Sequence, residues 1–170
     1  MKVTIEYNDK KIDVELTAEQ IKELGLQEEK KTGWERAEYN ETYYYINDGD
    51  MAIRRDTELA TSTDIRRYDA GNYFTDTELA VKMCKRVKLM LKMQRWADEH
   101  NEPIDWNTIK SKRYYRIGYN IACNELRVYY DRISRLIGVI YFSSYEIAEK
   151  AIEEFGDEII ECYAESEVTR

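Results

Sequence analysis

The sequence predicts an α+β protein in which small antiparallel sheets pack on one long amphipathic helix at about residues 75–99, followed by a C-terminal meander, helix and strand. Three observations predict it. Alternating β-prone runs flank short turn-forming clusters, the stretch from Thr75 to Glu99 holds neither Gly nor Pro, and capping sequences open the helical runs. A chain of 170 residues suits one domain or a domain with a small appendage. A soft boundary falls near Pro103, dividing the hairpins and long helix of 1–102 from the sheet and helix of 103–170, unless the two run on as one domain.

Taken in order, residues 2–7 and 11–16 alternate around Asn8-Asp9-Lys10. Val3, Ile5 and Tyr7 share one face, and Ile12, Val14 and Leu16 share another, which predicts a hairpin. Thr17-Ala18-Glu19-Gln20 reads as a capping box for a short helix that ends at Gly25. Residues 26–40 are polar and predict a loop. Asp48-Gly49, between Tyr43-Tyr44-Tyr45-Ile46 and Met51-Ala52-Ile53, predicts a second hairpin. Residues 56–74 read as irregular, ending in a turn at Gly71-Asn72.

The long helix follows. Thr75-Asp76-Thr77-Glu78 reads as its capping box, and Leu79, Met83, Val87, Met90, Gln94 and Ala97 recur at spacings of 4, 4, 3, 4 and 3, one helical face. Lys85, Lys88, Lys92 and Arg95 lie opposite. Next, Arg113–Tyr119, Glu125–Tyr130 and Leu136–Phe142 predict a three-stranded meander. Ser143-Ser144-Tyr145-Glu146 caps a helix whose stripe is Ile147, Ala148, Ala151, Ile152 and Phe155. Gly156 stops it, and Glu158–Tyr163 returns as an edge strand. No internal repeat or low-complexity segment stands out.

The composition, 43% hydrophobic, supports a packed core rather than disorder. No apolar run approaches the ~20 residues of a membrane helix, and the start of the chain alternates with charges, so the expected compartment is the cytoplasm of a host cell. Cys84, Cys123 and Cys162 form no metal-binding pair, and His100 is the only histidine. They predict reduced thiols and no metal or cofactor. Net charge is −8 and unevenly placed: −6 over residues 1–60, +5 over 61–135 and −7 over 136–170. A basic middle between acidic ends points to electrostatic choice of partner.

No constellation predicts catalysis. His100 falls where the long helix ends and suits a C-terminal cap. Asp48-Gly49-Asp50 lacks the ligand spacing of a calcium loop, and Glu153-Glu154 with Asp157-Glu158 suits a solvated helix face. Tyrosine is the anomaly, with 15 residues and clusters at 43–45, 114–115 and 129–130. Adjacent strand residues point to opposite faces, so one of each pair fills the core and the other offers rigid contact area. Candidate partner-binding residues are therefore Tyr43, Tyr45, Tyr114 and Tyr129, the acidic Glu153, Glu154 and Asp157, and the basic face Lys85, Lys88, Lys92 and Arg95. Arg54, Arg55, Arg66, Arg67, Lys112, Arg113 and Arg116, near tyrosines, would instead suit a single-stranded nucleic acid.

Tyr43-Tyr44-Tyr45-Ile46-Asn47-Asp48-Gly49 and Tyr68-Asp69-Ala70-Gly71-Asn72-Tyr73-Phe74-Thr75-Asp76 resemble a family of small phage and prophage proteins. Ile140-Tyr141-Phe142-Ser143-Ser144, running into Ala151-Ile152-Glu153-Glu154-Phe155, resembles its C-terminal end. The resemblance carries no catalytic residues. It implies an accessory gene of a mobile element, where small acidic non-enzymatic proteins disarm host defence nucleases, an anti-CRISPR protein being the sharpest case. The expected function is binding and inhibition of a host defence complex such as a Cas effector. The alternatives are a nucleic-acid-binding accessory protein and a minor phage structural protein.

Overall fold

The computed structural model describes residues 2–7, 10–25, 31–104, 106, 113–132 and 135–163. Strands β1 (Lys2–Tyr7) and β2 (Lys10–Glu15) pair antiparallel, with Val3 opposite Val14 and Ile5 opposite Ile12 in register. The expected turn at Asn8-Asp9 lies outside the described residues. Helix α1 (Ala18–Glu23) opens on the expected reciprocal bonds of Thr17 and Gln20 and closes through Gly25 at φ +64°.

Strands β3 (Thr42–Ile46) and β4 (Ile53–Thr57) form the second hairpin. Its connection is wider than an Asp-Gly turn: the Asn47 side chain accepts from Gly49 and Asp50, and the positive φ falls on Met51. Residues 56–74 are not irregular. They complete β4 and form helix α2 (Ser62–Asp69), opened by a capping box of Thr61 and Asp64. Helix α3 (Thr77–His100) is capped by Asp76 rather than Thr75, since the Leu79 N–H donates to the Asp76 carboxylate at 2.9 Å. Its buried positions are Ala80, Cys84, Leu89 and Ala97, with Met93 and Trp96 packed beside them, while Met90 is 47% exposed. The expected stripe is thus rotated. The first half of α3 meets β3 and β4, and a later helix lies along it, so two directions of burial replace one.

Strands β5 (Tyr114–Asn120) and β6 (Glu125–Asp131) form a third hairpin rather than a three-stranded meander. Gly138, at φ +77°, turns the chain, and only Phe142 pairs with β5, exchanging both backbone bonds with Tyr115. Helix α4 (Tyr145–Tyr163) runs through Gly156, so no edge strand exists at 158–163. A glycine in a helix costs roughly 1 kcal/mol. Burial of Ile159 and Cys162 beyond it outweighs that cost. The cap bond comes from the Ile147 N–H to Ser144, one residue later than expected.

The structure also uncovers an internal repeat. Tyr43-Tyr44-Tyr45-Ile46 matches Tyr114-Tyr115-Arg116-Ile117, each opening a hairpin. Tyr73-Phe74-Thr75-Asp76-Thr77-Glu78-Leu79-Ala80 matches Tyr141-Phe142-Ser143-Ser144-Tyr145-Glu146-Ile147-Ala148, each opening a helix. Equivalent residues do equivalent work. Tyr43 opposes Asp56 and Tyr114 opposes Asp131. Phe74 bridges to Tyr44 as Phe142 does to Tyr115. Tyr73, Phe74, Ala80, Tyr141, Phe142 and Ala148 are all buried. The repeat escapes a linear reading because its matching residues are separated by dissimilar connections. Helices α3 and α4 pack together, and one apolar cluster joins Leu89 and Ala97 of α3 to Phe142, Phe155 and Ile159.

Candidate interaction surface

The tyrosine clusters divide between core and surface, but not along the expected line. Tyr43 is wholly buried, stacked on Tyr73 with ring centroids 3.9 Å apart. Its hydroxyl donates to Asp64 at 2.7 Å and accepts from Arg67 at 2.6 Å. The Tyr73 hydroxyl donates to Glu58 at 2.8 Å, and Arg36 grips the same carboxylate with two bonds. Asp64 also accepts from Thr61 and from the Leu59 N–H. This is a closed polar network: among the described residues, no buried side-chain nitrogen or oxygen lacks a partner.

The network holds its ionisable groups in fixed states. Burial pushes the Asp64 carboxyl up, but the bonds from Tyr43 and Thr61 outweigh it and hold it at about 2. Arg36 draws the Glu58 carboxyl below the usual range despite burial. Burial, seconded by Asp64, raises the Tyr43 hydroxyl to about 12. The same two causes, burial and then Glu58, raise Tyr73 further.

Tyr43 and Tyr114 are therefore core residues and present no contact surface, Tyr114 lying against the Trp106 ring. Tyr43, second in β3, is covered by Tyr73, and Tyr114, first in β5, by Trp106. Tyr45 is half-buried under the Arg67 guanidinium, 3.5 Å from its ring centroid. Tyr129 is half-buried across Gly118, where a Cβ would come within 2.9 Å of the ring. The exposed member of that pair is Tyr130, at 53%. Tyr130 shares the strand face of Leu126 and Val128, which pack on the core cluster, but lies beyond that cluster near the strand end, so alternation alone does not give its exposure.

The charged candidates lie side by side. Ala148, Ala151, Phe155, Ile159 and Cys162 turn α4 inward, leaving Glu146, Glu149, Glu153, Glu154 and Asp157 exposed. Residues 149, 153 and 157 recur every four positions, about 6 Å apart along the axis. On its flank toward α3, Glu158 accepts from Lys92 at 2.9 Å and Glu161 accepts from Lys85. Two of the four expected basic contacts are thus ion-paired within the chain. Lys88 and Arg95 are exposed. Helix α4 carries seven acidic residues against Lys150 alone.

The arginines proposed for nucleic acid are mostly engaged. Arg54 pairs with Asp50, Arg67 with Asp56, and Arg116 with Asp131, while Arg66 donates to the Ser62 carbonyl. Lys112 lies outside the described residues, and Arg55 is exposed. Arg113 sits over the Tyr130 ring. His100 contacts the Trp96 carbonyl at 2.8 Å and stacks on that ring, a helix-end role.

Among the described residues, no three His, Cys, Asp or Glu side chains cluster as a metal site, and no helix is long and apolar enough to cross a membrane. Cys84 and Cys162 are buried and Cys123 is exposed, all as free thiols. No family model matches the chain, and neither does any curated protein or solved structure.

Proposed function

We propose that the chain acts by binding, as a phage-type accessory protein that inhibits a host defence complex of the Cas-effector kind. The observation that carries this reading is the exposed carboxylate row of α4, Glu149, Glu153 and Asp157 with Glu146 and Glu154 beside it. A rigid row of negative charges on one helix is complementary to a basic channel built for a nucleic-acid backbone, and such complementarity sets partner choice and association rate. Packing of α4 on α3 in one apolar cluster, with Glu158 and Glu161 paired to Lys92 and Lys85, holds that helix in place, so the row binds without a cost for ordering its backbone. The resemblance of the 43–49, 68–76 and 140–155 segments to small phage and prophage proteins supplies the setting.

The test is target cleavage by purified Cas effectors with and without the protein. The wild-type chain suppresses cleavage, and Glu153→Lys/Glu154→Lys/Asp157→Lys loses at least about tenfold in potency as attraction turns to repulsion. Equal potency of the two proteins removes α4 from the contact.

A further inference from the structure

A basic corner in the second repeat remains unexplained by the fold. Arg113, just before β5, and Arg132, just after β6, converge on one exposed ring: their guanidinium carbons lie 4.8 and 5.5 Å from the Tyr130 centroid. Among the described residues, neither forms an ion pair with a carboxylate. The nearest acidic residue in sequence, Asp131, points to the opposite face of the strand, where it accepts from Arg116 and from the Tyr141 hydroxyl, both at 2.9 Å. Two like charges gathered on one ring with no described carboxylate between them repel, and the ring quadrupole offsets only part of that repulsion.

The internal repeat provides a control for structural need. In the first hairpin the equivalents of Arg113, Tyr130 and Arg132 are Thr42, Arg55 and Thr57. The same fold unit is therefore built without a double-arginine corner. Around it the hairpin and its flanks remain basic, with five arginines against Glu125 and Asp131 over residues 113–135, and Arg135 lies over the Trp106 ring.

We propose that Arg113 and Arg132, organised by Tyr130, grip the phosphodiester backbone of a single-stranded nucleic acid. Guanidinium groups donate in a planar fork that matches phosphate oxygens, and stacking on an aromatic ring pre-orients them. A flexible single strand can bring successive phosphates and bases to a small exposed corner, whereas a duplex presents its backbone only along a rigid rod. This inference is independent of the inhibitor reading, because it rests on Arg113, Arg132 and Tyr130 and on none of the α4 carboxylates.

The experiment is fluorescence anisotropy of a labelled single-stranded 12-mer DNA, titrated with the purified chain across a salt series. The wild-type protein binds at low salt. Arg113→Gln/Arg132→Gln, with an unchanged thermal melt, weakens binding at least about tenfold and makes the log–log salt slope shallower by about 1.4, since each lost single-strand phosphate contact is worth about 0.7. Tyr130→Leu, which keeps both charges, weakens binding less than the double variant. Absence of binding by the wild-type chain, or equal binding by the double variant, overturns the proposal. Displacement of the strand by polyglutamate as readily as by unlabelled 12-mer also overturns it, and identifies the corner as a site for acidic polypeptide.

Discussion

Asp64 shows how much one carboxylate decides in this protein. Its Oδ2 accepts from the Leu59 and Thr61 N–H groups and the Thr61 hydroxyl, while its Oδ1 accepts from Tyr43. An asparagine has one oxygen for these donors, so its NH2 would face a donor in a buried site. Asp64→Asn is expected to cost about 1–3 kcal/mol at neutral pH. The pH dependence follows from the same bonds. Asp64 and Glu58 have folded pKa values below their unfolded ones, so the stability they contribute is complete above the ordinary carboxylate range. It is lost as pH falls below that range, in the case of Asp64 toward about 2. Tyr43 has the opposite sign: its contribution is complete below the ordinary tyrosine value and is lost as pH rises toward about 12. Thermal melts of wild type and Asp64→Asn at pH 7, 4 and 2 check this. The wild-type Tm falls most steeply below pH 4, and the variant starts lower and falls less. Parallel curves would contradict the assignment.

At the scale of elements, α4 carries the clearest prediction. A Cβ at Gly156 would meet Leu126 and Ile152 at 3.6 and 3.7 Å, ordinary contact distances, and the backbone there is helical. Gly156→Ala is therefore expected to stabilise the protein by about 0.5–1 kcal/mol, raising the Tm by about 1–4 °C. A lowered Tm would mean that the helix is strained at that position. The same glycine shows the reach and limit of sequence reasoning. Capping residues and turn clusters located β1, β2, α1, β3, β5, β6 and the start of α3, because those signals are local. Gly156 looked like a stop because the decisive term, burial of Ile159 and Cys162 against α3, is tertiary. Helix α2 was missed although Thr61 and Asp64 form a capping box; its eight residues are too few to show a periodic stripe. Among candidate site residues, the exposed carboxylates of α4 were legible from spacing. The burial of Tyr43 and Tyr114 was not, because alternation gives two faces without saying which one is covered.

Across the whole molecule, the two hairpin-and-helix units match at their buried positions and differ where they meet solvent. The buried Tyr, Phe and Ala positions match between copies. The exposed helix faces do not: α3 displays Lys88 and Arg95, and α4 displays Glu149, Glu153 and Asp157. Lys85 and Lys92 join Glu161 and Glu158 where the helices meet, on the flank of the exposed acidic row of α4. Exposed pairs of this kind contribute at most about 1 kcal/mol each, and the joint apolar cluster supplies the main force between the helices. The central claim is that the α4 face makes direct contact with a defence protein. It is tested most directly by affinity capture of the tagged chain from lysate of a CRISPR-bearing host, before and after nuclease treatment, with mass-spectrometric identification. The account predicts a Cas effector or other defence protein that survives nuclease treatment with the wild-type chain and is lost with Glu153→Lys/Glu154→Lys/Asp157→Lys. Capture that vanishes with nuclease treatment, or that is equal for the two proteins, would contradict it.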